Sequence, residues 1–201
     1  MLEKLPFPDE VIRLFKAHGK ILHYEKNCIL QDCCVFNNSV CILLAGIVKI
    51  SIIHHDKRIL LYHINGDNPQ IINYTSAPQI NSNDLYTKTL EKTTVISIPN
   101  ELFLDWTSTY IELRDFMITS FQYHYISIVN KMYEISNSSL ESNLLSYIKT
   151  KSKLYKKNEV KIPLLEMSED LNFSREAISR GLKVLENNNL IIRKTRSIIL
   201  L

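Results

Sequence analysis

Glycine is scarce in this chain, four among 201 residues. Glycine-rich loops are the usual way backbone N–H groups close around a phosphate, so little room is left for such a cradle, and no G-x-x-x-x-G-K-[ST] segment occurs. The G-x-S-x-G elbow and the H-E-x-x-H helix are missing too, so an enzyme is not expected. No apolar run approaches the ~20 residues that a membrane-crossing helix needs. The opening MLEKLPFPDE has acidic residues and no apolar centre of signal type, and a cytoplasmic location with no membrane partner is expected. Cysteine is limited to Cys28, Cys33, Cys34 and Cys41, crowded into one short stretch. Their spacing, C-x4-C-C-x6-C, matches no standard zinc or iron–sulfur motif. Two readings stand. Cys28 and Cys41, in apolar segments, serve as small core residues with Cys33 and Cys34 in a loop, or the four act together in thiol redox, metal or iron–sulfur chemistry.

Charge is unevenly spread. The net +3 combines a slightly acidic stretch over residues 1–137 with a basic one from 138 onward, where 12 Lys and Arg face 7 Asp and Glu. Lys149, Lys151, Lys153, Lys156, Lys157 and Lys161 lead this segment. Such a run suits a polyanionic partner, although by itself it also describes an ordinary solvated face.

Residues 162–201, IPLLEMSEDLNFSREAISRGLKVLENNNLIIRKTRSIILL, carry the densest pattern. Pro163 suits an opening helical position, and Leu164, Leu165 and Leu171 are expected to face a core. Asn172 and Phe173 end this helix, and Ser174 offers a cap to the next. There Ile178, Leu182 and Leu185, with Val184 beside them, form the expected buried face. Arg175, Glu176, Ser179 and Arg180 occupy the other side of the first two turns, with Lys183 one turn on. Guanidinium groups can donate two parallel hydrogen bonds to guanine, and a carboxylate can accept from cytosine N4. Asn187, Asn188 and Asn189 signal a turn. Leu190–Ile192 and Ser197–Leu201 read as a β-hairpin whose tip bears Arg193, Lys194 and Arg196. Double-stranded DNA is the partner this combination predicts.

Upstream, KILHY, CIL, VCILL, IVKISII, RILLYHI, QIINY, LYTKTL and TVISI are short strands punctuated by Asn, Asp, Gly and Pro, as in a sandwich or barrel. Residues 100–135 then switch to helical period, with Asn100 as the expected cap. Ile111, Ile118, Phe121, Tyr125, Ile128, Met132 and Ile135 recur at heptad-like spacings, a seam that wants a partner helix. A second stripe, Phe116, Ile126, Val129 and Tyr133, is available to lie against the sheets. Ser136 to Ser139 break the pattern.

The segment SREAISRGLKVLENNNLI resembles the recognition helix and hairpin entry of the Crp/Fnr superfamily of bacterial transcription regulators. Both of that family's patterns, S-R-E-x-x-x-R and E-x-x-S-R, are met by Ser174, Arg175, Glu176, Ser179 and Arg180. The resemblance implies an α+β chain: an N-terminal cyclic-nucleotide-binding-like β jelly roll over 1–99, a dimerisation helix region over 100–136 and a winged helix-turn-helix over 137–201. Gly46 stands where the family's jelly roll turns. It implies base contacts from Arg175, Glu176, Ser179 and Arg180, phosphate contacts from Ser174, Lys183, Lys194 and Arg196, and a homodimer on two-fold symmetric DNA. RNA polymerase is a further candidate partner.

The sequence departs from the family at the nucleotide pocket. The region NGDNPQIINYTSAPQINSNDLYTK keeps Gly66 and Asp67 but has no Arg, and Asn83 or Asp84 stands where the phosphate-pairing Arg belongs. A carboxylate there repels a phosphate, so cyclic AMP is not the expected signal. Asn68, Gln70, Asn73, Thr75, Ser76 and Gln79 offer a neutral polar ligand site or a plain loop. His54, His55 and His63 could add imidazole ligands for a haem or metal, although a hairpin-tip pair such as His54 and His55 is usually solvated. Competing with a regulator is a ligand-binding or protein-interaction module whose winged helix no longer reads DNA, or a regulator that senses through its cysteines.

Overall fold

A computed structural model of the chain describes residues 2–30, 38–54, 57–73, 85–137 and 139–201. Cys33 and Cys34, His55, Thr75, Ser76, Gln79, Asn83 and Asp84 lie outside the described residues. The fold mixes helices and antiparallel strands, and its contacts divide it into two compact units, residues 1–53 with 61–128 and residues 54–60 with 129–201.

Helix α1 (Asp9–His18) precedes strands β1 (Lys20–Tyr24), β2 (Ser39–Ala45), β3 (Ile47–His54), β4 (Lys57–Asn65), β5 (Leu85–Thr89) and β6 (Thr93–Pro99), all in the first unit apart from residues 54–60. They form two three-stranded sheets, ordered β1-β6-β2 and β4-β3-β5. Strand alternation sends successive side chains to opposite faces, and both faces of β2 are covered. Val40, Ile42 and Leu44 join Val11 and Phe15 of α1 in one core. Cys41 and Leu43 join Val48, Ile50 and Ile64 of the other sheet in a second. Hence VCILL reads as an unbroken apolar run rather than an alternating one.

Two expected strands are not strands: within CIL and QIINY, Ile29 and Ile71 make isolated bridges to Lys88 and Ile42. Backbone pairing there is confined to a few bonds, such as the Leu30 N–H to the Thr87 carbonyl at 2.9 Å and the Ile72 N–H to the Cys41 carbonyl at 2.8 Å, and side chains supplement it. Thr89 Oγ1 donates to the Glu25 carbonyl at 2.7 Å and accepts from the Cys28 N–H at 2.8 Å. Gly46 turns the chain between β2 and β3 at φ 91°, where a Cβ would lie 2.6 Å from the Lys92 carbonyl oxygen, so only glycine fits.

The helical stretch after the sheets is two helices, α2 (Asn100–Thr109) and α3 (Ile111–Asn137), separated at Tyr110, which adopts extended backbone. Pro99, not Asn100, holds the cap position of α2. Asn100 is instead the first helical residue, and its Oδ1 is buried without a hydrogen-bond partner.

The second expected stripe on α3 is corrected. Phe116 packs into the sheet-side core, but Ile126, Val129 and Tyr133 are exposed. Polar anchors do the docking. Ser120 Oγ accepts from the Ile71 N–H and donates to Gln70 Oε1, both at 2.8 Å. One His124 ring nitrogen meets Tyr62 OH at 2.8 Å and the other donates to the Ile71 carbonyl at 2.7 Å, and Tyr123 OH donates to the His63 carbonyl at 3.0 Å. Burial holds the His124 imidazole below its ordinary value, against the raising effect of its bond to Ile71.

The second unit contains α4 (Leu140–Tyr155), β7 (Glu159–Val160), α5 (Leu164–Leu171), α6 (Arg175–Asn187), β8 (Ile191–Arg193) and β9 (Ile198–Leu200). Leu144, Ile148, Met167, Ile178, Leu182 and Leu185 fill its core. No helix among the described residues is long and apolar enough to cross a membrane.

Candidate nucleic-acid interface

α5 ends because Asn172 takes the left-handed conformation, at φ 58°. The turn that follows is cross-braced: the Phe173 N–H donates to the Ser168 carbonyl at 3.2 Å, and Ser168 Oγ donates to the Phe173 carbonyl at 2.7 Å. Ser174 caps α6, its hydroxyl accepting from the Ala177 N–H at 3.1 Å. Three residues therefore separate the helices, and α6 is aimed by a rigid corner.

On α6 the buried residues are Ile178, Gly181, Leu182 and Leu185. Arg175, Glu176, Arg180 and Lys183 are exposed, and Ser179 is half-buried. The charged set thus shares the face away from the core. Glu176 accepts from its own backbone N–H and from the Ser174 hydroxyl; these bonds first, and the nearby Arg175 and Arg180 guanidiniums after them, hold its carboxyl below the ordinary range. It is an ionised acceptor at neutral pH.

Three expectations are corrected here. Val184 is 41% exposed, and Leu164 and Leu165 are exposed as well. Met167 and Asp170 are the buried residues of α5, with Leu171 half-buried. The helix begins after Pro163, as expected, with Pro163 at the cap, and Leu164 and Leu165 stand on the exposed side of its first turn. A functional position that spacing does not flag is Gly181, buried in mid-helix. A Cβ on it would stand 2.5 Å from Leu144 Cδ1 and 3.4 Å from Leu140 Cδ2, so its bare backbone is what lets α6 approach α4.

The hairpin forms as expected, and gains a strand. β8 and β9 pair antiparallel, and Glu159–Val160 adds β7 on the outer side of β9. The Lys194 N–H closes the tip on the Ser197 carbonyl at 2.8 Å. Glu186 Oε1 accepts from the Arg193 N–H at 2.9 Å, fastening the hairpin to the end of α6. Asn189 takes the left-handed turn conformation, at φ 55°. Arg196 is exposed, while Lys194 pairs with Glu159 at 3.2 Å. The Glu159 carboxyl also accepts from Ser197 Oγ at 2.6 Å, and these bonds hold it below the ordinary range.

The basic run splits. Lys149, Lys153, Lys157 and Lys161 are exposed, but Lys151 is fully buried, paired with Glu166 at 2.8 Å, and does not belong to a solvent-facing field.

Along α3, Ile118, Phe121, Tyr125, Ile128 and Met132 of the predicted seam are all exposed, from 38% to 63%. The side chain of Ile135 lies outside the described part. So much solvent-facing apolar area on one helix is unusual for a monomer.

Of the cysteines, Cys41 is buried with its Sγ 3.8 Å from Ser39 Oγ, and Cys28 is half-buried. Among the described residues no three His, Cys, Asp or Glu side chains gather as a metal site. Gln70 and Asn73 are not free for a ligand. Gln70 is buried on Ser120, and Asn73 accepts from the Cys41 N–H and donates to the Ser39 carbonyl, each at 2.7 Å.

Double sheets, a long helix and a capped helix pair with an appended hairpin together define an α+β fold of a known class. No family model matches the sequence, and no curated protein does. Solved structures do match. A transcriptional regulator assigned to the Crp/Fnr family from Eubacterium rectale superposes with a TM-score of 0.79 at 16% identity, covering 97% of this chain and 91% of its own. CLP, the c-di-GMP responsive global regulator of Xanthomonas campestris, gives 0.75 at 14% identity over 96% and 99% of the two chains. A variant of CooA from Carboxydothermus hydrogenoformans gives 0.70 at 14% identity over 99% and 88%. The fold of this chain is that of the Crp/Fnr regulators.

Proposed function

We propose that this chain is a DNA-binding transcription regulator of the Crp/Fnr type. In this reading residues 1–99 are a jelly-roll sensor, 100–136 the dimerisation region and 137–201 a winged helix-turn-helix. The observation that carries it is the segregation of α6: Ile178, Leu182 and Leu185 are inside, and Arg175, Glu176, Arg180 and Lys183 are outside on a helix whose start is fixed by a cap. A helix held this way can enter a major groove side chains first. Arg175 and Arg180 then donate to guanine, Glu176 accepts from cytosine, and Ser179 supports them. Ser174, Lys183, Lys194 and Arg196 meet phosphates, which set register without reading sequence.

The exposed seam on α3 supports a homodimer, whose two recognition helices would meet successive major grooves roughly 34 Å apart. The signal is not cyclic AMP, because the loop expected to hold its phosphate carries no Arg. A shift in population between dimer states would link the sensor to the reader, with RNA polymerase as a downstream partner.

The test is a salt-titrated gel shift on duplexes selected from a randomised pool. Specific binding that weakens steeply with salt is expected. Arg180→Ala should cost sequence discrimination, by roughly 1–3 kcal/mol, whereas Lys194→Ala should weaken all duplexes alike. Equal losses on selected and random DNA for Arg180→Ala contradict the assignment.

A further inference from the structure

A lysine with no exposed surface is rare unless its charge is matched, and here the match is specific. Lys151 Nζ lies 2.8 Å from Glu166 Oε1 and 3.9 Å from Asp170 Oδ2. Tyr147 OH donates to Asp170 Oδ2 at 2.7 Å, and the Lys151 ammonium stands 5.3 Å from the centre of the Tyr147 ring. Burial, with the Asp170 and Glu166 carboxylates next, pushes the Tyr147 phenol well above its ordinary range, so it remains a donor.

The spacing gives the cluster its meaning. Tyr147 and Lys151 are one turn apart on α4, and Glu166 and Asp170 are one turn apart on α5, so two i,i+4 pairs face each other. Two carboxylates so placed on one helix repel unless a cation sits between them. Sliding or rotating α5 by even part of a turn would leave a buried charge without its partner, which is the most costly kind of mismatch. Apolar contacts hold α5 less selectively: it has eight residues, of which Met167 alone is both apolar and fully buried. Hydrophobic burial is non-directional, so it sets how tightly α5 is held but not in which register. α5 in turn carries the braced corner that aims α6.

Resting on the DNA-reading function proposed above, we infer that Lys151, with Tyr147, Glu166 and Asp170, is a registry lock: a set of positioning residues that touch no DNA but determine base discrimination. Its partner chemistry is internal, and its output is the angle at which Arg175, Glu176 and Arg180 meet a groove.

The experiment uses the full chain and duplexes that the parent protein selects from a randomised pool, with a random duplex of equal length as control. Lys151→Met/Asp170→Asn removes both buried charges together, a change that buried ion pairs often tolerate without loss of stability. Its expected result is a melting temperature near the parent's, unchanged affinity for the random duplex, and a selected-over-random ratio lower by about tenfold, the worth of one bidentate base contact. Tyr147→Phe removes a single bond and should lower the ratio by a smaller factor; it carries the test if the double variant fails to fold. A purely stabilising cluster would lower melting temperature and both affinities together. An undiminished ratio in a folded variant overturns the inference while leaving the function standing. A parent that selects no sequence at all overturns both.

Discussion

Gly181→Ala isolates the closest packing contact in the second unit. Two effects oppose each other. Replacing a mid-helix glycine by alanine favours the helix by about 1 kcal/mol. Against this, the new methyl would begin 2.5 Å from Leu144 Cδ1, well inside ordinary contact. Leu144 is fully buried, and Leu140 flanks the same spot, so the displaced methyl has nowhere open to go. Overpacking of this kind costs about 1–3 kcal/mol. The clash therefore wins or breaks even, and the net loss should be about 0–2 kcal/mol, or a few degrees in melting temperature for a chain of this size. Leu144→Ala alone should cost about 2–5 kcal/mol through the cavity it leaves. In the double variant the methyl added at position 181 occupies space that Leu144 vacated, so the combined loss should fall short of the sum by about 1–2 kcal/mol. Thermal or urea denaturation of the four proteins measures this coupling. Additivity to within ~0.5 kcal/mol would refute the claim that Gly181 is small because Leu144 is there.

Other perturbations follow from the same contacts. His124 is held below its ordinary 6.5 by burial, so the unfolded chain binds a proton that the folded one does not; stability should be fully present above pH 6.5 and fall as acid is added, and His124→Gln should flatten that slope in melts across the range. Glu159→Gln frees Lys194 and removes a negative charge from the hairpin tip, so DNA affinity at low salt should rise and the salt dependence steepen; unchanged binding would mean that Lys194 never reaches a phosphate. Tyr125→Glu/Met132→Glu places charge on the exposed face of α3 and should convert a dimer to monomer in sedimentation while leaving the melting of the isolated protomer fold intact.

The parts legible in the sequence are those set by local rules. The core stripe of α6, its Ser174 cap, the left-handed Asn turn and the cationic hairpin all follow from spacings and side-chain chemistry within a few residues. The exposed α3 seam is of the same kind. Other features depended on what distant residues supply. Nothing near Lys151 in sequence distinguishes it from Lys149 or Lys153; only the carboxylates of α5, brought across by folding, make it an interior residue. CIL and QIINY look like strands, but each makes only an isolated bridge and a few backbone bonds to its neighbour, and the Thr89, Asn73 and Ser120 side chains accept other N–H groups there.

Spacing along the chain is enough to show which segments are periodic and which chemistry they display, because those are properties of residues close together in sequence. Folding settled the coverage of positions that spacing left open or misjudged. Leu164, Leu165 and Val184 are apolar yet exposed, while Lys151, Gln70 and Ser120 are polar yet buried. The physical reason is that burial depends on the partner available: an apolar side chain needs a surface to leave water for, and a polar one goes inside only where another element completes its hydrogen bonds.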